Sequence, residues 1–226
     1  VTAIEALPEG GWRLATSSGV YEAKAVINAA GVHSDAVHNL AVKPDFKIIP
    51  NRGEYYLLDK SEGTRVSHVI FQCPSAVGKG VLVSPTIHGN LIVGPNAEDV
   101  GDGDNTACTA SGLEFVKNTA RRSVPDINFR DSIRNFAGVR AVSDQPDFII
   151  QEAAPRFIDL AGIKSPGLSA APAIAIEAAG MLEKSGIALE KKDSFIDERR
   201  RVRFSELTPE KRTRRRSSMK ESFFSS

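Results

Sequence analysis

Four places in the sequence carry residue types suited to binding and redox chemistry. Asn28-Ala29-Ala30-Gly31 closes the apolar run Ala25-Val26-Ile27. Small residues at a strand end let another backbone, or a flat ligand, come close. Gly162-Ile163-Lys164-Ser165-Pro166-Gly167-Leu168-Ser169-Ala170-Ala171-Pro172 joins an apolar strand to a helix with a small-residue face. Glycines at such a turn expose N–H groups at a helix N-terminus, and the helix dipole there favours a phosphate or the polar edge of a heterocycle. Arg52 and Arg140 complete the set, because a planar guanidinium offers two parallel charged hydrogen bonds to a phosphate or carboxylate. Each feature also has a plainer reading: a tight strand-to-helix turn, a left-handed turn capped by Ser169, and arginines in structural salt bridges. His88, at a hairpin tip, is either a solvated turn residue or a base that titrates near neutral pH.

The elements that must position these residues can be read from periodicity and punctuation. Trp12–Ser17 alternates, Ser18-Gly19 turns, and Val20–Asn28 continues as strand. Its end is apolar throughout, as a strand covered on both faces requires. Ser34 and Asp35 are placed to cap a short helix reaching about residue 41. Segments 47–50, 54–59 and 66–73 read as strands. Segments 80–85 and 90–95 flank Thr86-Ile87-His88-Gly89 as a hairpin. After an acidic loop over 97–107 comes a helix from about Thr109 to Arg122. Segments 132–142, 147–153 and 156–162 are strand candidates. A helix runs from Pro166 to Gly186, with start and stop signals and with Pro172 expected in its first turn. The stretch from 43 to 153 is therefore strand-rich with one helix, while each flank supplies an apolar strand, a glycine and a helix. The expected fold class is α+β / α/β, an antiparallel domain inserted into an α/β domain.

Composition narrows the function. The 226 residues are 41% hydrophobic and 25% charged, ordinary for a folded protein. The two cysteines, Cys73 and Cys108, exclude a disulfide scaffold and fit reduced thiols. No apolar run is long enough to span a membrane. The net charge of +1 hides an asymmetry. Residues 191–226 hold 12 basic and 6 acidic residues, whereas the body holds 17 and 22. Acidic residues interrupt the basic tail and aromatic residues are sparse in it, so no nucleic-acid partner is expected. The tail, 191–226, is expected to be partly disordered. The chain opens on Val1 with strand-like residues, which reads as a piece of a longer protein.

In order along the chain, AVINAAG, NRGEYYLLD, GKGVLVSPTIHGNLIVGPNAED, NFAGVRA with DFII, and GIKSPGLSAAPAIA resemble the second half of FAD-dependent oxidoreductases. The superfamily is that of D-amino-acid oxidase, and the likeness is to its glycerol-3-phosphate dehydrogenase type over about residues 1–190. The resemblance implies an antiparallel substrate-binding domain over 43–153. The later part of a Rossmann-like FAD domain would lie at 1–42, with its final strand and helix at 154–190. It implies that Asn28, Ala29, Ala30 and Gly31 line the FAD, with Gly162, Gly167, Leu168 and Ser169 near the flavin. Arg140 would hold a substrate's anionic end, with Arg52, near the flavin, as the second substrate-binding residue. Lys164 stands where many relatives carry an acidic residue. The implied reaction is oxidation of a small anionic alcohol, glycerol 3-phosphate above all. A 2-hydroxy acid or amino acid is the alternative, as is a fragment with no activity of its own. The implied partners are an electron acceptor and an iron–sulfur domain or subunit. The implied location is the cytoplasm, or the membrane surface in the complete system. No G-x-G-x-x-G stands near residue 1, so the isolated chain is expected to bind FAD weakly or not at all.

Overall fold

The computed structural model describes residues 1–73, 80–196 and 207–213. It divides into two units, residues 1–189 and 190–226. In the second unit the described residues include a single helical turn over 209–213. The expectation of disorder over 197–206 and 214–226 of the tail falls outside the described residues.

Among the described residues the first unit contains three sheets. Strands β1 (Ala3–Ala6), β2 (Trp12–Thr16) and β3 (Gly19–Ala23) form an antiparallel ribbon. Trp12 anchors it, packing its ring 5.1 Å from that of Phe157 and donating from Nε1 to the Pro155 carbonyl. Strand β4 (Val26–Asn28) then leads through the small-residue turn into α1 (Ser34–Ala41). His33, not Ser34, stands at the N-cap, and Ser34 instead donates to the Gly31 carbonyl across the turn.

The second sheet is centred on β5 (Ile48–Leu58). One edge of β5 pairs along its length with β9 (Ser132–Ser143). The other edge takes β7 (Leu91–Gly94), which carries β6 (Leu82–Pro85), and the short β8 (Glu98–Asp99). All these pairings are antiparallel. Helix α2 (Ala110–Arg121) covers one face, burying Val116 and Ala120 against Leu58, Val83, Leu91 and Val93. The expected strand at 66–73 is reduced to one bridge, Ile70 to Val83, because Val69 and Phe71 face solvent and have nothing to pack on.

The third sheet runs β10–β11–β4, with β10 at Ile149–Ala154 and β11 at Phe157–Ala161. The strands ending at Asn28 and near Gly162 lie side by side and parallel, Phe157 opposite Val26 and Asp159 opposite Asn28. Residues 149–153, expected in the antiparallel domain, pair with β11 in this sheet. Helix α3 (Gly167–Lys184) follows β11. Pro172 lies in its second turn, beyond the first turn expected for it, and has no N–H for the Leu168 carbonyl. A buried cluster of Phe46, Ile48, Ala141, Ile149 and Ala161 joins the second and third sheets and fixes the end of β9 near the start of α3.

Candidate functional site

The strand pairing decides which side chains share a face. Alternate residues of a strand point to opposite sides. Asn51 and Arg140 are directly opposite, as are Gly53 with Gly138 and Tyr55 with Phe136. These six face away from α2. Arg140 donates from Nη1 to Asn51 Oδ1 (2.5 Å) and from Nη2 to the Asn96 carbonyl (3.2 Å). Its guanidinium lies over Gly53, where a Cβ would come within 2.9 Å of Cζ. The Tyr55 and Phe136 rings stack 5.0 Å apart. On this face Gly138 leaves open space where a Cβ would stand, whereas Gly53 is covered by the Arg140 guanidinium and the Pro95 side chain.

This arginine opens on a cavity of about 600 Å³. Gly31 and Val32 line it from the turn after β4. Val139, Arg140 and Ala141 line it from β9, and the run from Ile163 to Ser169 lines it from the turn before α3. Of the residues expected at a site, the structure thus brings together Gly31, Arg140, Gly167, Leu168 and Ser169. Gly31 adopts φ +59° with open space where a Cβ would stand, and Leu168 is 95% exposed. The Gly167 N–H donates to the Lys164 carbonyl and the Ser169 N–H to the Pro166 carbonyl, so those two amides are engaged within the turn.

The remaining candidates lie elsewhere. Asn28 is buried beneath the turn. Its Nδ2 donates to the Ser34 carbonyl and Asp159 Oδ1, and its Oδ1 accepts from the Ala30 N–H. Ala29 and Ala30 form the backbone of that turn without lining the cavity. Gly162, at φ +63°, ends β11 against Ser143, whose Oγ would be 2.8 Å from a Cβ. His88 stands exposed at the tip between β6 and β7. Arg52 is 4% exposed on the α2 side of β5. It donates from Nη2 to Glu98 (2.7 Å) and from Nη1 to Asn105, with Nε 3.4 Å from the fully buried Glu54. Glu54 also accepts from the Thr109 N–H and hydroxyl at the start of α2. The hydrogen bond to Glu98 holds the Arg52 pKa above its usual value against the opposing effect of burial.

Two residues at the cavity were not expected at the site from sequence. Lys164, noted there only as departing from an acidic position of relatives, lines the same cavity as Arg140 and adds a second cation. Asn51 holds Arg140 in place, and only the register between β5 and β9 reveals that pairing.

The described residues fit a flat, anionic dinucleotide at this cavity: a small-residue turn with open space at Gly31 faces a helix start. The sequence profile of the FAD dependent oxidoreductase family matches residues 1–181. A glycerol 3-phosphate dehydrogenase of Caloramator mitchellensis is 47% identical over 205 residues, 89% of this chain and 43% of that protein. A glycerol 3-phosphate oxidase of Mycoplasma pneumoniae is 37% identical over 166 residues, 72% of this chain and 43% of that one. Among solved structures, the dithionite-reduced L-alpha-glycerophosphate oxidase of Mycoplasma pneumoniae with FAD bound superposes with a TM-score of 0.72 at 34% identity, covering 81% of this chain and 50% of its own. The chain spans less than half the length of these curated relatives. The ordered segments, the parallel pairing of β4 with β11 and these matches agree: the chain belongs to the FAD-dependent oxidoreductase family.

Proposed function

We propose that this chain supplies the substrate-facing sheet and the flavin-facing turns of an enzyme that oxidises glycerol 3-phosphate to dihydroxyacetone phosphate. The observation that carries this reading is the placement of Arg140 and Lys164 on one cavity with the small-residue turn and the start of α3. A guanidinium has five N–H donors. Asn51 and Asn96 accept from two of them, which fixes the plane of the fork and leaves the others for an anion. A phosphate dianion calls for more than one cation, and Lys164 provides the second. A carboxylate is served by one, so a 2-hydroxy acid fits this pair less well. The names of the relatives at 47% and 37% identity support the same substrate.

Gly31 and the turn from Ile163 to Ser169 would border the flavin, which when bound accepts a hydride from the alcohol carbon. The start of α3 would favour negative charge there. Arg140 orients the substrate by its phosphate end, and the open face over Gly138 leaves room for its carbon chain. For onward electron transfer we propose a separate iron–sulfur domain or subunit, which the resemblance to the glycerol-3-phosphate dehydrogenase type implies; the two cysteines of this sequence are too few to ligate such a cluster.

The test is anaerobic mixing of the flavin-loaded enzyme with glycerol 3-phosphate, followed by flavin absorbance. Bleaching by glycerol 3-phosphate and none by 2-hydroxyglutarate is expected. The reverse pattern overturns the substrate assignment.

A further inference from the structure

Beneath the turn over residues 28–31 lies a chain of three buried polar side chains. Asp159 of β11 is fully buried, His38 of α1 is 1% exposed and Asn28 of β4 is 2% exposed. His38 Nδ1 lies 2.7 Å from Asp159 Oδ2, and the other carboxylate oxygen accepts from Asn28 Nδ2, also at 2.7 Å. On the far side of the ring, His38 Nε2 lies 3.0 Å from the Lys43 carbonyl and 3.0 Å from Asp45 Oδ1. Each ring nitrogen therefore faces oxygen acceptors. A neutral imidazole donates from one nitrogen only, and its other nitrogen would point a lone pair at oxygen. In such a buried place that is a costly arrangement.

We propose that His38 is a positioning residue, held as an imidazolium that orders Asp159 and Asn28 and through them fixes the small-residue turn bordering the cavity. The links are continuous. His38 orients one carboxylate oxygen of Asp159, the other orients the Asn28 amide, and Asn28 Oδ1 receives the Ala30 N–H (3.3 Å) one residue before Gly31. Asn28 also holds the Ser34 carbonyl at the start of α1 (2.8 Å), so both ends of the turn hang on one amide.

The surroundings support a retained proton. The acidic groups facing the ring are the carboxyls of Asp159 from β11 and Asp45 from the segment after α1. Phe46 lays its ring 4.8 Å away. Residues on the β1, β2 and β4 side of α1, namely Ile4, Trp12, Leu14 and Val26, are apolar. Burial alone would push the His38 pKa down. The hydrogen bonds to Asp159 and the Lys43 carbonyl, with the charges of Asp159 and Asp45, outweigh it and raise the pKa above 6.5. A raised folded pKa stabilises the fold below the ordinary value, and that contribution is lost as pH rises through the folded value. The turn is thus tightest below the raised His38 pKa and loosens as pH rises through it. The assignment of His38 rests on the geometry of the turn, and only its consequence for cofactor rests on the proposed function.

The test is a pH titration by NMR of the full 226-residue chain with labelled histidine, reading His38 ring nitrogens and the Ala30 and Gly31 amides. The expected result is both His38 nitrogens protonated at pH 6.5 and a midpoint above it. The two amide signals should shift with that same midpoint. In His38→Gln the amide shifts should lose their pH dependence, while Asp159→Asn should lower the midpoint. A His38 already half neutral at pH 6.5 or below overturns the proposal. So do Ala30 and Gly31 signals that stay still while His38 titrates. These readings use wild-type protein without flavin, so they stand apart from any failure of the substrate assignment.

Discussion

Arg52 and Arg140 stand one register step apart on paired strands and point to opposite faces of the sheet, Arg52 towards α2 and Arg140 towards the cavity. Two guanidiniums that look equivalent in sequence have therefore been given different work. Arg52 is enclosed by Glu54, Glu98 and Asn105. Arg140 is braced on one side and open on the other.

If Arg52 is structural, removing it leaves Glu54 fully buried with Thr109 as its remaining donor partner. Breaking one half of a buried ion pair costs about 3–5 kcal/mol. Arg52→Ala is expected to lower the free energy of unfolding by about that much, read as a lower urea midpoint at unchanged slope, while leaving the KM of the surviving folded enzyme unchanged. Denaturant titration with parallel kinetics checks this. A raised KM at unchanged stability would place Arg52 at the substrate instead.

Asn51 and Gly53 set the pose of Arg140. Asn51→Ala removes the acceptor that fixes one arm of the fork, and the lost hydrogen bond to a charged group is worth roughly 1.5–3 kcal/mol at most. A fall in kcat/KM of about 10-fold is expected. Gly53→Ala puts a methyl where the guanidinium lies and should be at least as harmful, with flavin content unchanged in both. Kinetics equal to wild type in Gly53→Ala would mean that Arg140 binds substrate in another pose.

Lys164 should discriminate by charge. It is exposed, so its contribution is on the scale of a surface ion pair, about 0.2–1 kcal/mol. Lys164→Gln should raise KM for a phosphate substrate by up to about 5-fold and less for a carboxylate analogue, with the difference shrinking as salt is raised. Equal effects on both substrates would remove Lys164 from anion recognition.

How much of this was legible in the sequence depended on whether local chemistry or distant pairing decided it. The turn after β4 and the start of α3 were legible because small residues and helix signals announce themselves within a few positions. The parallel pairing of β4 and β11 followed from apolar runs and family resemblance. Parity along β5 puts residues 51 and 52 on opposite faces, but which face α2 covers is set by Glu54 meeting Thr109, 55 residues away. That distance hid the role of Arg52. The weak strand at 66–73 failed for a related reason: alternation there has no covering element to bury Val69 and Phe71. Asn28 looked like a ligand contact because it sits in the turn, and its partner Asp159 lies 131 residues on.

Glu62 offers a test of stability in acid. It is 2% exposed beside Arg65, and its carboxylate accepts two guanidinium hydrogen bonds and the Asn128 N–H. Chiefly the bond from Arg65, opposed by burial, holds its pKa below the ordinary 4.5. A lowered folded pKa contributes stability above 4.5 that is lost as pH falls through the lowered value. Glu62→Gln should therefore flatten the decline in urea midpoint below pH 4.5, with little change in the slope above it. A decline as steep as that of wild type would show the contribution to lie elsewhere.

The account turns on Arg140 gripping the anionic end of the substrate. The most direct measurement is steady-state kinetics with glycerol 3-phosphate, with flavin occupancy, on the flavin-loaded enzyme carrying Arg140→Ala or Arg140→Lys. Losing a charge-assisted hydrogen bond of about 1.5–3 kcal/mol predicts a fall in kcat/KM of roughly 10- to 100-fold for Arg140→Ala. Arg140→Lys should also be impaired, because an ammonium cannot reproduce the fork, and flavin content should stay at the wild-type level in both. Unchanged kcat/KM in Arg140→Ala, or a loss of activity that merely follows a loss of flavin, would contradict it.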